Sequence, residues 1–137
     1  MSVYCDTLEV ETHRKGLHEI TDGVRSLVRQ SGVDAGLCNV FIQHTSASLC
    51  IQENADPSAR ADLEAFLDRL VPPNQAYFQH TSEGPDDMPS HIKSILTEVS
   101  LIIPVQRGRL ALGTWQGIYL WEHRERPHRR RVVVSVW

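Results

Sequence analysis

Cysteine is scarce in this sequence: there are three, Cys5, Cys38 and Cys50, with no CxxC pair. An odd, sparse set argues against a disulfide framework and fits a reducing cytoplasm, with all three as packing residues. Long apolar runs are also missing. None nears the ~20 residues that a membrane span requires, and Met1 to Glu11 lacks a basic-then-apolar leader pattern. A basic excess is absent: 14 Lys and Arg stand against 17 Asp and Glu, for a net charge of -3. That argues against a nucleic-acid partner held by bulk charge. P-loop and dinucleotide glycine patterns and HExxH are absent as well. With no linker or low-complexity stretch, residues 1–137 read as one domain.

What is present is a mixed set of strands and helices. Val3 to Glu11 alternates as a strand. Ile20, Val24, Leu27 and Val28 recur at helical spacing, with Gly32 placed to end the helix. Leu37 to His44 and Ser48 to Glu53 read as two strands. Turning the chain at Thr45 to Ser48 makes them a hairpin that pairs Ile42 with Ile51 and Val40 with Glu53. In that hairpin His44 and Glu53 stand roughly 13 Å apart. Asp56-Pro57 opens a second helix with a buried stripe of Leu63, Phe66, Leu67 and Leu70. Pro72-Pro73 ends it, and a polar loop from Asn74 to Met88 follows. Pro89 starts a third helix, with Ile92, Ile95, Leu96 and Val99 facing inward. Strands are expected at Ser100 to Val105, Arg109 to Leu112, Trp115 to Glu122 and Arg131 to Trp137. Without regular βαβ alternation, the class is α+β with antiparallel sheets.

The candidate chemistry centres on histidine. Gln-His-Thr-Ser occurs twice, at Gln43 to Ser46 and at Gln79 to Ser82. The hydrophobic context does not repeat, so this is no internal repeat. His44 ends a strand, His80 lies in the long loop and His91 lies in the first turn of the third helix. A helix N-terminus disfavours imidazolium, which keeps His91 neutral and able to bind a metal. Three neutral histidines with an open fourth position suit zinc, although the spacing is not diagnostic and a boundary histidine is the bland alternative. Asp86 and Asp87 either complement the helix dipole or hold magnesium for a phosphorylated substrate. Ser46 and Ser48 donate to phosphate or only make the turn. "HRERPHRRR", from His123 to Arg131, reads first as a solvated loop and second as an anion patch. "LGTWQGIYLWEH" is apolar on both faces, so that strand is either central or covered by a partner subunit.

Four segments, "QHTSASLCIQENADP", "DDMPSHIKSIL", "IPVQRGRLALGTWQGIYLWEH" and "RRRVVVSV", resemble the YjbQ-like family of small proteins. Some members of that family are described as secondary thiamine-phosphate synthases. The likeness runs in order over nearly the whole chain. It implies a seven-stranded, two-sheet β-sandwich with about three helices, assembled as a homotrimer. The implied activity condenses hydroxymethylpyrimidine diphosphate with thiazole phosphate and releases pyrophosphate, so the partner is a small phosphorylated substrate. Carried across, the resemblance suggests His44, His80 and His91 around a divalent metal, zinc or magnesium. Asp87, Glu53 and Lys93 would be catalytic. Ser46, Lys93, Thr114 and Gln116 would bind substrate and phosphate, joined by Ser48 from its place in the turn. A site at a subunit boundary would reconcile His44 with Glu53. Two alternatives stay open: a metal-dependent hydrolase, and a non-catalytic trimer that binds a metal or small anion.

Overall fold

A computed structural model describes residues 2–137. Among them are strand β1 (Tyr4–Thr12), β2 (Gly16–Glu19), helix α1 (Thr21–Ser31), β3 (Gly36–Ile42), β4 (Ala47–Glu53), α2 (Pro57–Leu70) and α3 (Asp87–Leu96). The chain continues as β5 (Ser100–Gln106), β6 (Arg109–Leu110), β7 (Gln116–Glu122) and β8 (His128–Val136). The fold is α+β as expected, with three helices and eight strands. The expected count of seven strands misses β2, which is only four residues long. No helix among the described residues is long and apolar enough to cross a membrane.

The strands form two antiparallel sheets, one ordered β1-β8-β3-β5-β6 and the other β2-β7-β4. They face each other across the main core, where Val40, Ile42, Val132 and Val134 meet Leu49, Ile118 and Leu120. Helix α1 contributes Val24, Leu27 and Val28 to the same core. Gly32 ends that helix in the left-handed conformation, φ 71°. The far face of the small sheet carries Leu17, Tyr119 and Trp121, which pack on Leu67 and Val71. Strand β7 is therefore central, flanked by β2 and β4 and covered on both faces, so its two-sided pattern needs no partner subunit. All three cysteines are unpaired. Burial pushes the thiols of Cys38 and Cys50 up to about 11, as packing residues.

Three local expectations are corrected. First, β3 and β4 do not form a hairpin: β3 pairs with β5 and β8, while β4 pairs with β7. Val40 and Ile42 do share one core with Leu49 and Ile51, but across the sandwich. Alternation identifies the buried face of a strand, not its neighbour. Second, the stripe of α2 is only partly covered. Leu67 is buried, whereas Phe66 is 64% exposed and Leu70 is also exposed. A helix lying on a three-stranded sheet has one side of its stripe left without a layer to meet. Third, α3 starts at Asp87, and of its expected inner face only Ile92 packs inward. It buries Asp87, Ser90, Lys93 and Ser94, while Ile95 is 82% exposed and Leu96 and Val99 are open. The buried stripe is polar because it lies on the polar start of β4: Ser94 Oγ donates to the Ala47 carbonyl at 3.3 Å, and Thr97 Oγ1 donates to Ser48 Oγ at 2.6 Å.

Candidate metal centre

Asp87 is the first residue of α3, where the helix dipole favours a carboxylate. His91 lies one turn on, and the i, i+4 spacing puts both side chains on one helix face. The loop before α3 brings in His80. These three residues place one ligand atom each within 4.8 Å of one another. His80 Nε2 is 2.8 Å from Asp87 Oδ2, and His91 Nε2 is 3.4 Å from Asp87 Oδ1. The two rings lie with centroids 5.3 Å apart.

Asp87 is 1% exposed, yet its Oδ2 accepts no hydrogen bond. The approach of His80 is close enough for one but is not aligned as one. A buried carboxylate oxygen left without a donor is costly unless a cation meets it. His91 is oriented from its other side, Nδ1 lying 2.9 Å from the Thr45 carbonyl. A carbonyl only accepts, so Nδ1 carries a hydrogen, and in the neutral ring Nε2 is the nitrogen with the lone pair, on the Asp87 side. Histidines that ligate metals are commonly held in this way. Two imidazoles and one carboxylate suit zinc or a similar first-row ion, whereas magnesium prefers oxygen donors and water. His80 is half exposed and opens the cluster to a pocket of about 780 Å³. His44, Met88, Ile95 and Val99 also line that pocket.

The acidic pair at the start of α3 is anchored by a residue that the sequence hides in its arginine run. Arg124 donates from Nη1 to Asp87 Oδ1 at 2.9 Å and from Nε to Asp86 Oδ2 at 3.0 Å. It also reaches the Glu83 carbonyl at 2.8 Å. Asp86 further accepts the Glu125 amide at 2.9 Å. Burial alone raises the Asp86 pKa, but the Glu125 amide and Arg124 outweigh it and hold the carboxyl below its usual range. Reading this run as a solvated loop misses both Arg124 and Arg130. Each sits near a carboxylate that is distant in sequence or across a turn, and composition carries no trace of that pairing.

The other expected site residues fall into separate places. Lys93 is buried and its ammonium donates to Asp68 at 2.6 Å, in a small second pocket that His123 also lines. Ser48 is buried, with its hydroxyl 2.8 Å from His123 Nε2. Ser46 is buried between Arg130 and His44. Glu53 and Gln116 pair at the far end of β4 and β7, six steps from the Ala47–Glu122 pair, a separation of roughly 20 Å. Thr114 lies just before that end. Within one chain, then, Asp87, His80 and His91 come together, and His44 lines their pocket from outside the cluster. Glu53, Thr114 and Gln116 do not join them.

Residues 6–137 match the family model described as UPF0047 protein YjbQ-like. UPF0047 protein sll1880 of Synechocystis is 53% identical over 131 residues, covering 96% of this chain and 89% of its own. UPF0047 protein YjbQ of Escherichia coli O157:H7 is 46% identical over 134 residues, covering 97% and 96%. Among solved structures, a protein from Clostridium acetobutylicum described as an uncharacterized conserved member of the yjbq/upf0047 family superposes with a TM-score of 0.89. Its identity is 36%, and the match covers 96% of this chain and 99% of that one. A YbjQ-like protein of unknown function from Sulfolobus solfataricus gives a TM-score of 0.90 at 26% identity, covering 98% and 96%. The chain belongs to the UPF0047 YjbQ-like family.

Proposed function

We propose that this protein is a metal-dependent enzyme acting on a small phosphorylated substrate at the His80–Asp87–His91 centre. The observation that carries this reading is the buried Asp87 Oδ2, left without an aligned hydrogen-bond donor and clustered with two imidazole nitrogens. Zinc is the favoured ion, by the chemistry of the donors. When bound, it would supply Lewis acidity toward a phosphoryl or leaving-group oxygen. The chain's own residues do the rest. Asp87 and His91 present ligand atoms from one rigid helix face, and Arg124 holds the acidic turn against repulsion. Met88, Ile95 and Val99 give the pocket an apolar wall on which a flat heterocycle can lie.

The reaction we propose is the thiamine-phosphate synthase-like condensation that the family resemblance suggests. The thiazole nitrogen forms a bond to the methylene carbon of hydroxymethylpyrimidine diphosphate, the carbon–oxygen bond breaks, and pyrophosphate leaves with the electron pair. Incubating the zinc-loaded protein with both precursors and assaying thiamine phosphate and pyrophosphate tests it. Both products should form together, and chelator should abolish them. No product above a protein-free control would overturn the synthase reading.

One observation favours a second reading. No lysine or arginine lines the pocket, so a diphosphate would find little positive charge beyond the metal. A zinc-dependent hydrolase of a less charged ester fits that lining. Zinc-dependent turnover of p-nitrophenyl esters with no condensation product would select it.

We also propose that the protein is cytoplasmic, in keeping with its unpaired cysteines, and works as a homotrimer. The uncovered Phe66, Ile95 and Leu96 side chains support self-association. In such an assembly the Glu53–Gln116 end of one subunit would complete the pocket of its neighbour.

A further inference from the structure

The three residues His44, Thr45 and Ser46 bridge the two sheets and set two imidazoles in opposite tautomers. The Thr45 carbonyl takes the hydrogen of His91 Nδ1, as described. His44 is treated the other way. The Ser46 amide donates to His44 Nδ1 at 3.1 Å, and Ser46 Oγ lies 2.9 Å from the same atom. A nitrogen that faces a backbone N–H must offer a lone pair, so His44 Nδ1 carries no hydrogen. In the neutral ring the hydrogen then resides on Nε2.

The arrangement around Ser46 agrees with the assignment made by the Ser46 amide. Arg130 Nη2 donates to Ser46 Oγ at 3.0 Å, so the oxygen is already an acceptor and its own hydrogen is free to turn toward His44. Arg130 is in turn fixed by Glu122, its Nε donating to Oε1 at 2.8 Å and its Nη2 meeting Oε2. Thr12 Oγ1 donates to the same carboxylate at 2.6 Å. Arg130, Ser46 and Glu122 are all buried. Lost hydration and then the Arg130 charge hold the His44 pKa below its usual value, in the direction of the neutral ring.

His44 therefore lines the pocket of the His80–Asp87–His91 centre with an N–H and no lone pair free for a metal. We infer that His44 is a hydrogen-bond donor to an anionic phosphoryl oxygen of the molecule bound there, and that Ser46, Arg130 and Glu122 are positioning residues that fix its tautomer. The inference rests on the metal-centre reading for where the ligand sits, but the tautomer stands without it. It also supplies a specific polar contact in a pocket that no lysine or arginine lines.

Three measurements on the intact chain test it. Long-range nitrogen–proton NMR of ¹⁵N-histidine protein should show His44 as the Nε2–H form; an Nδ1–H form would overturn the inference. Zinc titration of wild type, His44→Ala and His44→Gln should give equal affinity, whereas loss of zinc with His44→Ala would make His44 a ligand and overturn it. Inorganic pyrophosphate should bind the zinc-loaded His44→Ala protein about tenfold more weakly, as expected for one charge-assisted hydrogen bond. His44→Gln, whose amide reaches a similar point with an N–H, should retain most of the affinity. Unchanged pyrophosphate binding in His44→Ala would also overturn the inference. If wild type takes up no zinc, the metal-centre reading fails on its own. The NMR and pyrophosphate measurements, repeated without metal, then still decide the role of His44.

Discussion

His123 shows how a single buried ring couples stability to pH. It is 1% exposed and its Nδ1 has no hydrogen-bond partner. Burial, followed by the Lys93 charge, pushes its pKa down to about 3. In the unfolded chain an imidazole titrates near ~6.5. Below that pH the unfolded state holds a proton that the folded state refuses. The stabilisation from the neutral ring is complete above ~6.5 and is lost as pH falls toward the folded value, at about 1.4 kcal/mol per pH unit. Urea titrations from pH 6 to 4 should show this contribution to the slope, and His123→Gln should remove that contribution. Arg130 is the second residue-scale case. Arg130→Met leaves Glu122 buried without its main partner and should cost about 3–5 kcal/mol in urea unfolding. Arg130→Met combined with Glu122→Gln should recover most of that loss.

At the scale of elements, the legible parts are those whose signal is local. The cap of α2 holds: the Asp56 carboxylate accepts the Ser58 amide at 2.9 Å and Pro57 occupies the first turn. The end of α1 holds as well, because a positive φ at Gly32 depends on that residue alone. An added Cβ there meets nothing within 4 Å, so Gly32→Ala should cost about 1 kcal/mol of stability from backbone strain alone. Chemical denaturation reads that directly. What was not legible depends on distant partners. The face of α3 turned inward because the polar start of β4 receives it. Yet the polar stripe Asp87, Ser90, Ser94, Thr97 has helical spacing in the sequence itself. With the helix expected to start at Pro89, Asp87 lies outside it, and only its true start at Asp87 puts that residue on one face with His91, while Arg124 needed the fold to bring it near.

For the whole molecule, the separation of Glu53 and Gln116 from the histidine cluster is the feature that one chain does not resolve. A shared site between subunits predicts complementation. If the proposed trimer and condensation hold, His91→Ala and Glu53→Gln proteins, each inactive alone, should regain activity when unfolded together and refolded as mixed trimers. Size-exclusion chromatography with light scattering checks the assembly. Activity that fails to return in verified mixed trimers would confine the site to one subunit.

The most direct measurement is the metal content of protein purified without an affinity tag. Elemental analysis of wild type, after incubation with zinc and removal of excess, should give about one equivalent per chain. His80→Ala, His91→Ala and Asp87→Asn, each verified as folded by circular dichroism, should lose most of it, while His44→Ala should keep it. A wild type that holds no metal under any loading condition, or an Asp87→Asn protein that holds as much as wild type, would contradict the account.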